Sequence, residues 1–148
     1  MIQADQPATA IVPGTPLQKV IPHRLVEPYL NGQRSVIAGY VYLAQDSAFR
    51  DPASYYHALA LGYEGSEFSP DMTEIYVLRW LAVDMTGSLV PMTPANGDDP
   101  ASTVTEYYTL PVPIPVGTEM YRITTGAEEF IARYDGQVWL QPVRGTEP

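Results

Sequence analysis

Cysteine is absent from this 148-residue chain, which removes disulfides, thiolate metal sites and cysteine nucleophiles together. Lysine occurs once, at Lys19, and the other cations are arginines spread singly along the sequence. With 17 acidic against 8 basic residues and a formal net charge of -9, there is no basic patch with which to release counterions from a polyphosphate. Nucleic acids and anionic membrane surfaces are therefore excluded as partners, although one arginine can still hold a single anionic ligand. No stretch reaches the about 20 apolar residues that a membrane helix requires. The first residues carry no basic region and meet Asp5 before any apolar run, so no secretory signal is expected. The expected location is the cytoplasm, or outside the cell by export without a recognisable N-terminal signal. Histidine occurs twice, at His23 and His57, without the spacing of a metal pair or an obvious third ligand, and no metal is expected. There is no Gly-x-Ser-x-Gly elbow.

What is present points to a packed β protein. Hydrophobic residues make up 45% of the chain, enough at this length for one domain with its own core. Residues 1–16, rich in Ala, Pro, Thr and Gln, read as a flexible arm, and residues 17–148 as a single domain. Residues 20–30 contain Pro22 and Pro28, which limit any helix there to a short piece. Residues 35–43 and 75–83 are β-branched and aromatic and apolar on both faces, so they read as central strands. Asp51-Pro52 supplies an N-cap and a first-turn proline, and the helix it opens is expected over residues 52–61, with Gly62 as the stop. Tyr55, Ala58 and Leu59 share one face of that helix. Residues 91–102 read as a loop, with three prolines, Asn96-Gly97 and Asp98-Asp99.

Four short strands are expected beyond that loop, over residues 104–110, 118–123, 129–134 and 137–140. Asp135-Gly136 predicts a two-residue type I′ hairpin, which would pair Arg133 with Val138 and Ala132 with Trp139. The expected class is α+β, with a mainly antiparallel sheet and one principal helix.

Glu106 is the carboxylate that stands out. It opens a strand directly after a long loop and precedes Tyr107 and Tyr108, a setting in which a carboxyl group can be held and partly desolvated, as a catalytic base must be. Glu128-Glu129 at a strand start and Asp98-Asp99 in a loop are explained by solvation. Tyr107 and Tyr108 point to opposite faces, so at most one can line a given site.

The order of elements resembles a bacterial mono-ADP-ribosyltransferase toxin domain. The resemblance rests on Arg24 in Pro-His-Arg-Leu-Val, on Gly65-Ser66-Glu67-Phe68-Ser69 ahead of Ile75-Tyr76-Val77-Leu78-Arg79, and on Thr105-Glu106-Tyr107-Tyr108. It implies NAD as substrate, with Glu106 assisting transfer. Arg24, or Arg34 in its place, would clamp the pyrophosphate, Ser66 and Ser69 would stand in the serine segment, and Tyr107 would supply an aromatic wall. The sequence departs from that family at two points: Pro70 stands where the serine strand should begin, and Val104 replaces the first carboxylate of the usual pair. An NAD glycohydrolase or a dead scaffold is compatible with those departures. The alternative is a non-catalytic acidic domain of immunity or assembly type that binds a protein partner through tyrosines on a sheet face and complements a basic surface.

Overall fold

The computed structural model describes residues 11–59, 61–62, 65–83, 89–92 (backbone only), 104 and 106–142. In chain order the elements are β1 (Pro16–Ile21), a 3-10 turn (His23–Leu25), α1 (Val26–Leu30), β2 (Val36–Leu43), α2 (Ala44–Ser47), α3 (Pro52–Ala58) and β3 (Ile75–Leu81). They are followed by β4 (Leu89–Met92), β5 (Glu106–Pro113), β6 (Glu119–Thr124), β7 (Ala127–Tyr134) and β8 (Trp139–Leu140). The strands form one sheet in the order β4-β5-β2-β1-β3-β6-β7-β8, antiparallel at every junction. The chain is thus α+β with a mainly antiparallel sheet.

The two apolar runs expected as central strands are β2 and β3. Between them in the sheet lies β1, which the sequence reading does not place. Pro-Leu-Gln-Lys-Val-Ile breaks the apolar pattern at Gln18 and Lys19, and both find specific partners in the fold. Residues 1–10 of the expected arm lie outside the described residues, and residue 16 already belongs to β1. The expected loop over residues 91–102 is corrected at its start, because Pro91 and Met92 pair with Tyr107 and Glu106 as part of β4. Residues 93–102 lie outside the described residues.

Alternation along β1 divides the core in two, because successive side chains of a strand leave opposite faces. Leu17 and Ile21 pack with Ile37, Val41, Leu78, Tyr107 and Met120, and α1 closes that side with Val26 and Tyr29. Val20 packs on the other side with Tyr42, Ile75, Val77 and Ile123, beneath Tyr55 and Leu59 of the α3 segment. Burying a leucine such as Leu59 contributes about 1.5–3 kcal/mol, so this short helix is held mainly by what it covers.

α3 is the longest of three short helices among the described residues. Its cap is as expected: the Asp51 carboxylate accepts from the Ser54 N–H at 2.8 Å, with Pro52 in the first turn. The helix is shorter than the expected 52–61, ending with Leu59 at φ -99° and ψ 5° as its C-cap. Gly62 is therefore not the stop. A side chain there would collide with the Tyr56 hydroxyl, so the glycine serves close packing.

The Asp135-Gly136 turn is a hairpin, but not of the expected kind. Tyr134 pairs with Trp139 and Arg133 with Leu140, leaving a four-residue loop, while Ala132 pairs with Met120. The reason is the Asp135 carboxylate, which accepts from the N–H groups of Gln137 at 2.8 Å and Val138 at 2.9 Å. An aspartate that bonds the second and third residues after it extends the loop beyond the two-residue form. Those same backbone bonds hold its carboxyl below the usual range. Gly136 sits at φ +108°, where a β-branched residue would be strained.

Candidate functional site

Cross-strand register builds a polar row through the middle of the sheet. Gln18 pairs with Tyr42 on one side and with Arg79 on the other. The Tyr42 hydroxyl donates to Glu106 at 2.6 Å, and Glu106 is only 1% exposed. The Gln18 amide donates to the Ser47 carbonyl at 2.7 Å and to its hydroxyl at 3.1 Å. Arg79 Nε donates to Gln18 Oε1 at 2.6 Å. The rest of the Arg79 guanidinium reaches Glu128 at 2.5 Å and the Tyr55 hydroxyl at 3.4 Å, and it lies 4.8 Å from the centre of the Tyr121 ring. Burial alone would lower the Arg79 pKa, but the bonds to Glu128 and Tyr55 outweigh it and the net shift is upward. Neither Gln18 nor Arg79 is marked by any motif; the one signal was an arginine inside an otherwise apolar strand.

Lys19 leaves β1 on the opposite side. β1 and β2 pair only at Leu17–Leu43 and Gln18–Tyr42, and the Lys19 ammonium donates to the Tyr40 carbonyl at 3.3 Å. A bulge in β2 between Ile37 and Gly39 makes room for it. Gly39 stands at φ +100°, and a Cβ there would lie 3.2 Å from Lys19 Nζ. Only glycine suits both demands. Burial, and then the Arg34 charge, push the Lys19 pKa down to about 8, with Glu106 acting in the other direction.

The residues named from the resemblance fall into two groups. Arg24 is tied to Glu67 at 2.7 Å, in the serine segment, rather than to Glu106. Ser66 and Ser69 are turn-formers in that segment: Ser66 Oγ donates to the Leu61 carbonyl and accepts from the Phe68 N–H, and Ser69 bonds the Asp71 carboxylate. Arg34 and Glu106 make up the second group, outside that segment: Arg34 donates to the Tyr29 hydroxyl at 3.1 Å, and Glu106 accepts from the Tyr42 hydroxyl at 2.6 Å. Tyr107 is fully buried in the core. Of the named residues, Arg34 lines a cavity among the described residues.

Tyr108 and Leu110, alternate residues of β5, share a face. Tyr108 pairs with Tyr40 of β2, and the two rings meet edge to face with centroids 5.4 Å apart. Tyr40 is 41%, Tyr108 38% and Leu110 58% exposed, so this end of the sheet presents a partly exposed aromatic and aliphatic surface. The expected division of Tyr107 and Tyr108 between opposite faces holds, and it is Tyr108 that is accessible.

Among the described residues no three His, Asp or Glu side chains cluster as metal ligands, and no helix is long and apolar enough to cross a membrane. Comparison with known protein families, with curated proteins and with solved structures yields no match to this chain.

Proposed function

We propose that this domain is a non-catalytic binding module that recognises a basic protein through the sheet face bearing Tyr40, Tyr108 and Leu110. The observation that carries this reading is the exposure of two tyrosine rings and a leucine side by side on paired strands. Rigid aromatic groups on a firm scaffold anchor interfaces at low entropic cost. The net charge of -9 supplies long-range attraction for a partner of opposite sign and speeds encounter. A photo-crosslinking residue placed at position 108 and expressed in the native host tests this. The expected product is a heterodimer with a basic protein, lost when Leu110→Asp puts a charge into the patch. Crosslinking only to a second copy of the chain, or a yield unaffected by Leu110→Asp, would overturn it.

A second reading, an NAD-using transferase or glycohydrolase of toxin type, draws on the buried Glu106 carboxyl at the opening of β5. On that reading Glu106 stabilises the sugar cation as nicotinamide leaves, and Arg24, or Arg34 in its place, holds the pyrophosphate. Glu106→Gln then abolishes nicotinamide release while NAD affinity measured by calorimetry is largely kept. No heat of binding at millimolar NAD removes this reading and leaves the first intact.

A further inference from the structure

A cavity of about 220 Å³ lies between α1, the turn after it and the β7–β8 hairpin. Three aromatic side chains line it: Tyr29, Tyr134 and Trp139. Trp139 meets Tyr134 with ring centroids 5.4 Å apart and Tyr29 at 6.4 Å, in tilted and edge-on geometry. Arg34, Ser35, Asn31 and Gln137 supply the polar part of the wall and Ile114 contributes an apolar side.

The chemistry of this wall selects the sign of its ligand. Three rings alone would suit a cation, but the Arg34 guanidinium stands among them and repels one. No aspartate or glutamate lines the cavity, and among the described residues no carboxylate forms an ion pair with Arg34. The arginine is also held in place. Its Nε donates to the Tyr29 hydroxyl at 3.1 Å, and that hydroxyl in turn donates to the Val36 carbonyl at 2.8 Å. With Nε engaged by Tyr29 and no bond from the terminal nitrogens among the described residues, those two nitrogens are the donors left to a ligand, a fork that matches a carboxylate.

Size narrows the ligand further. Pockets for drug-sized molecules measure about 300–1,000 Å³, so this one admits a single ring with one acidic group and not a dinucleotide. We propose that the cavity binds a small aryl carboxylate, its ring among Tyr29, Tyr134 and Trp139 and its carboxylate on the terminal nitrogens of Arg34. The site is separate from the Tyr40–Tyr108–Leu110 face and does not depend on the role given to it.

The test is a pair of titrations of the full chain, with benzoate and with its neutral isostere benzamide, followed by calorimetry and by tryptophan fluorescence in a Trp80→Phe background that leaves Trp139 as the emitter. Saturable benzoate binding is expected, about tenfold or more tighter than benzamide, since a charge-assisted bond is at stake. Arg34→Gln should bring benzoate down to the benzamide level. A second readout is independent of any variant. An anion on Arg34 removes one of the charges that depress Lys19, so bound benzoate should move the titration of Lys19 upward from about 8. Equal affinity for benzoate and benzamide, or no saturation of the wild-type chain by either, would overturn the proposal. So would a folded Arg34→Gln protein that binds benzoate unchanged.

Discussion

Gln18 and Lys19 are neighbours on one strand, and they solve the same problem in opposite ways. Both are polar side chains carried into a sheet by the central strand. Gln18 is completely buried, yet its amide donates to Ser47 and its carbonyl accepts from Arg79. Lys19 is only partly buried, but among the described residues its ammonium has a single backbone acceptor at 3.3 Å, and it feels the like charge of Arg34. The more deeply buried group is the better housed one. What decides the cost of a polar group in a core is the number and quality of its partners, and depth matters through them.

The largest effect that would break this comparison is expected at Arg79. Arg79→Ala removes the donor to Gln18 Oε1 and the ring contact with Tyr121, leaving a buried amide oxygen short of a partner. Urea denaturation should show a loss of about 3 kcal/mol, as for other breaks in buried polar networks. Glu128, being 45% exposed in its side chain, should share little of that. A double-mutant cycle between Arg79 and Glu128 is expected to give a coupling within about 1 kcal/mol. A loss below that for Arg79→Ala itself would mean that the network is decoration on a core held by apolar contacts.

Lys19 supplies the opposite expectation. Lys19→Met keeps the length of the side chain and removes the charge, so at pH 7 it should raise stability by about 1–2 kcal/mol, part of the full shift being lost to residual solvation. The pH dependence sharpens this. In the unfolded chain the ammonium keeps its proton up to its ordinary value of 10.5, and in the fold only up to about 8. Below pH 8 both states are charged, and the folded state carries the whole cost of housing the ammonium. Between 8 and 10.5 the unfolded chain binds a proton that the folded chain does not, so stability rises with pH across that window. Melting of the wild type between pH 8 and 9.5 should show that rise, and Lys19→Met should flatten it. A wild type that loses stability over the same interval, with the variant behaving identically, would remove Lys19 as the cause.

The smallest expected effect is at Tyr42. Tyr42→Phe deletes one hydrogen bond to Glu106 without changing the shape of the core, and a loss of about 1 kcal/mol is expected in the same urea assay. A loss as large as that of Arg79→Ala would extend the well-partnered row as far as β5.

The same pair of residues marks where reading the sequence stopped. β2 and β3 were legible because Val-Ile-Ala-Gly-Tyr-Val-Tyr-Leu and Ile-Tyr-Val-Leu-Arg-Trp-Leu need no partner to look like strands. β1 was not, because Gln18 and Lys19 belong in a sheet only once Ser47, Arg79 and the Tyr40 carbonyl are in place around them. The Asp51 cap was readable because capping is local. The hairpin was readable as a turn but not in its register, since the reach of the Asp135 carboxylate to Val138 competes with the two-residue form. Of the site, Glu106 was correctly placed at the opening of a strand, and the opposite orientations of Tyr107 and Tyr108 followed from strand periodicity alone. That Tyr42 would hold Glu106, or that Arg34 would share a cavity with Trp139, depends on contacts between distant parts of the chain that no local pattern encodes.

The order of strands also sets how the chain must find its fold. Only β6, β7 and β8 are joined to their sheet neighbours by short turns. The centre is assembled from afar: Ile21 meets Tyr76, and Val36 meets Pro113. Closing such long loops spends chain entropy before the contacts that repay it exist, and topologies of this kind fold in roughly milliseconds to seconds where local ones take microseconds. The C-terminal meander is therefore the segment able to organise on its own. β1, whose two polar residues find their partners only across the finished sheet, is the strand whose docking commits the whole.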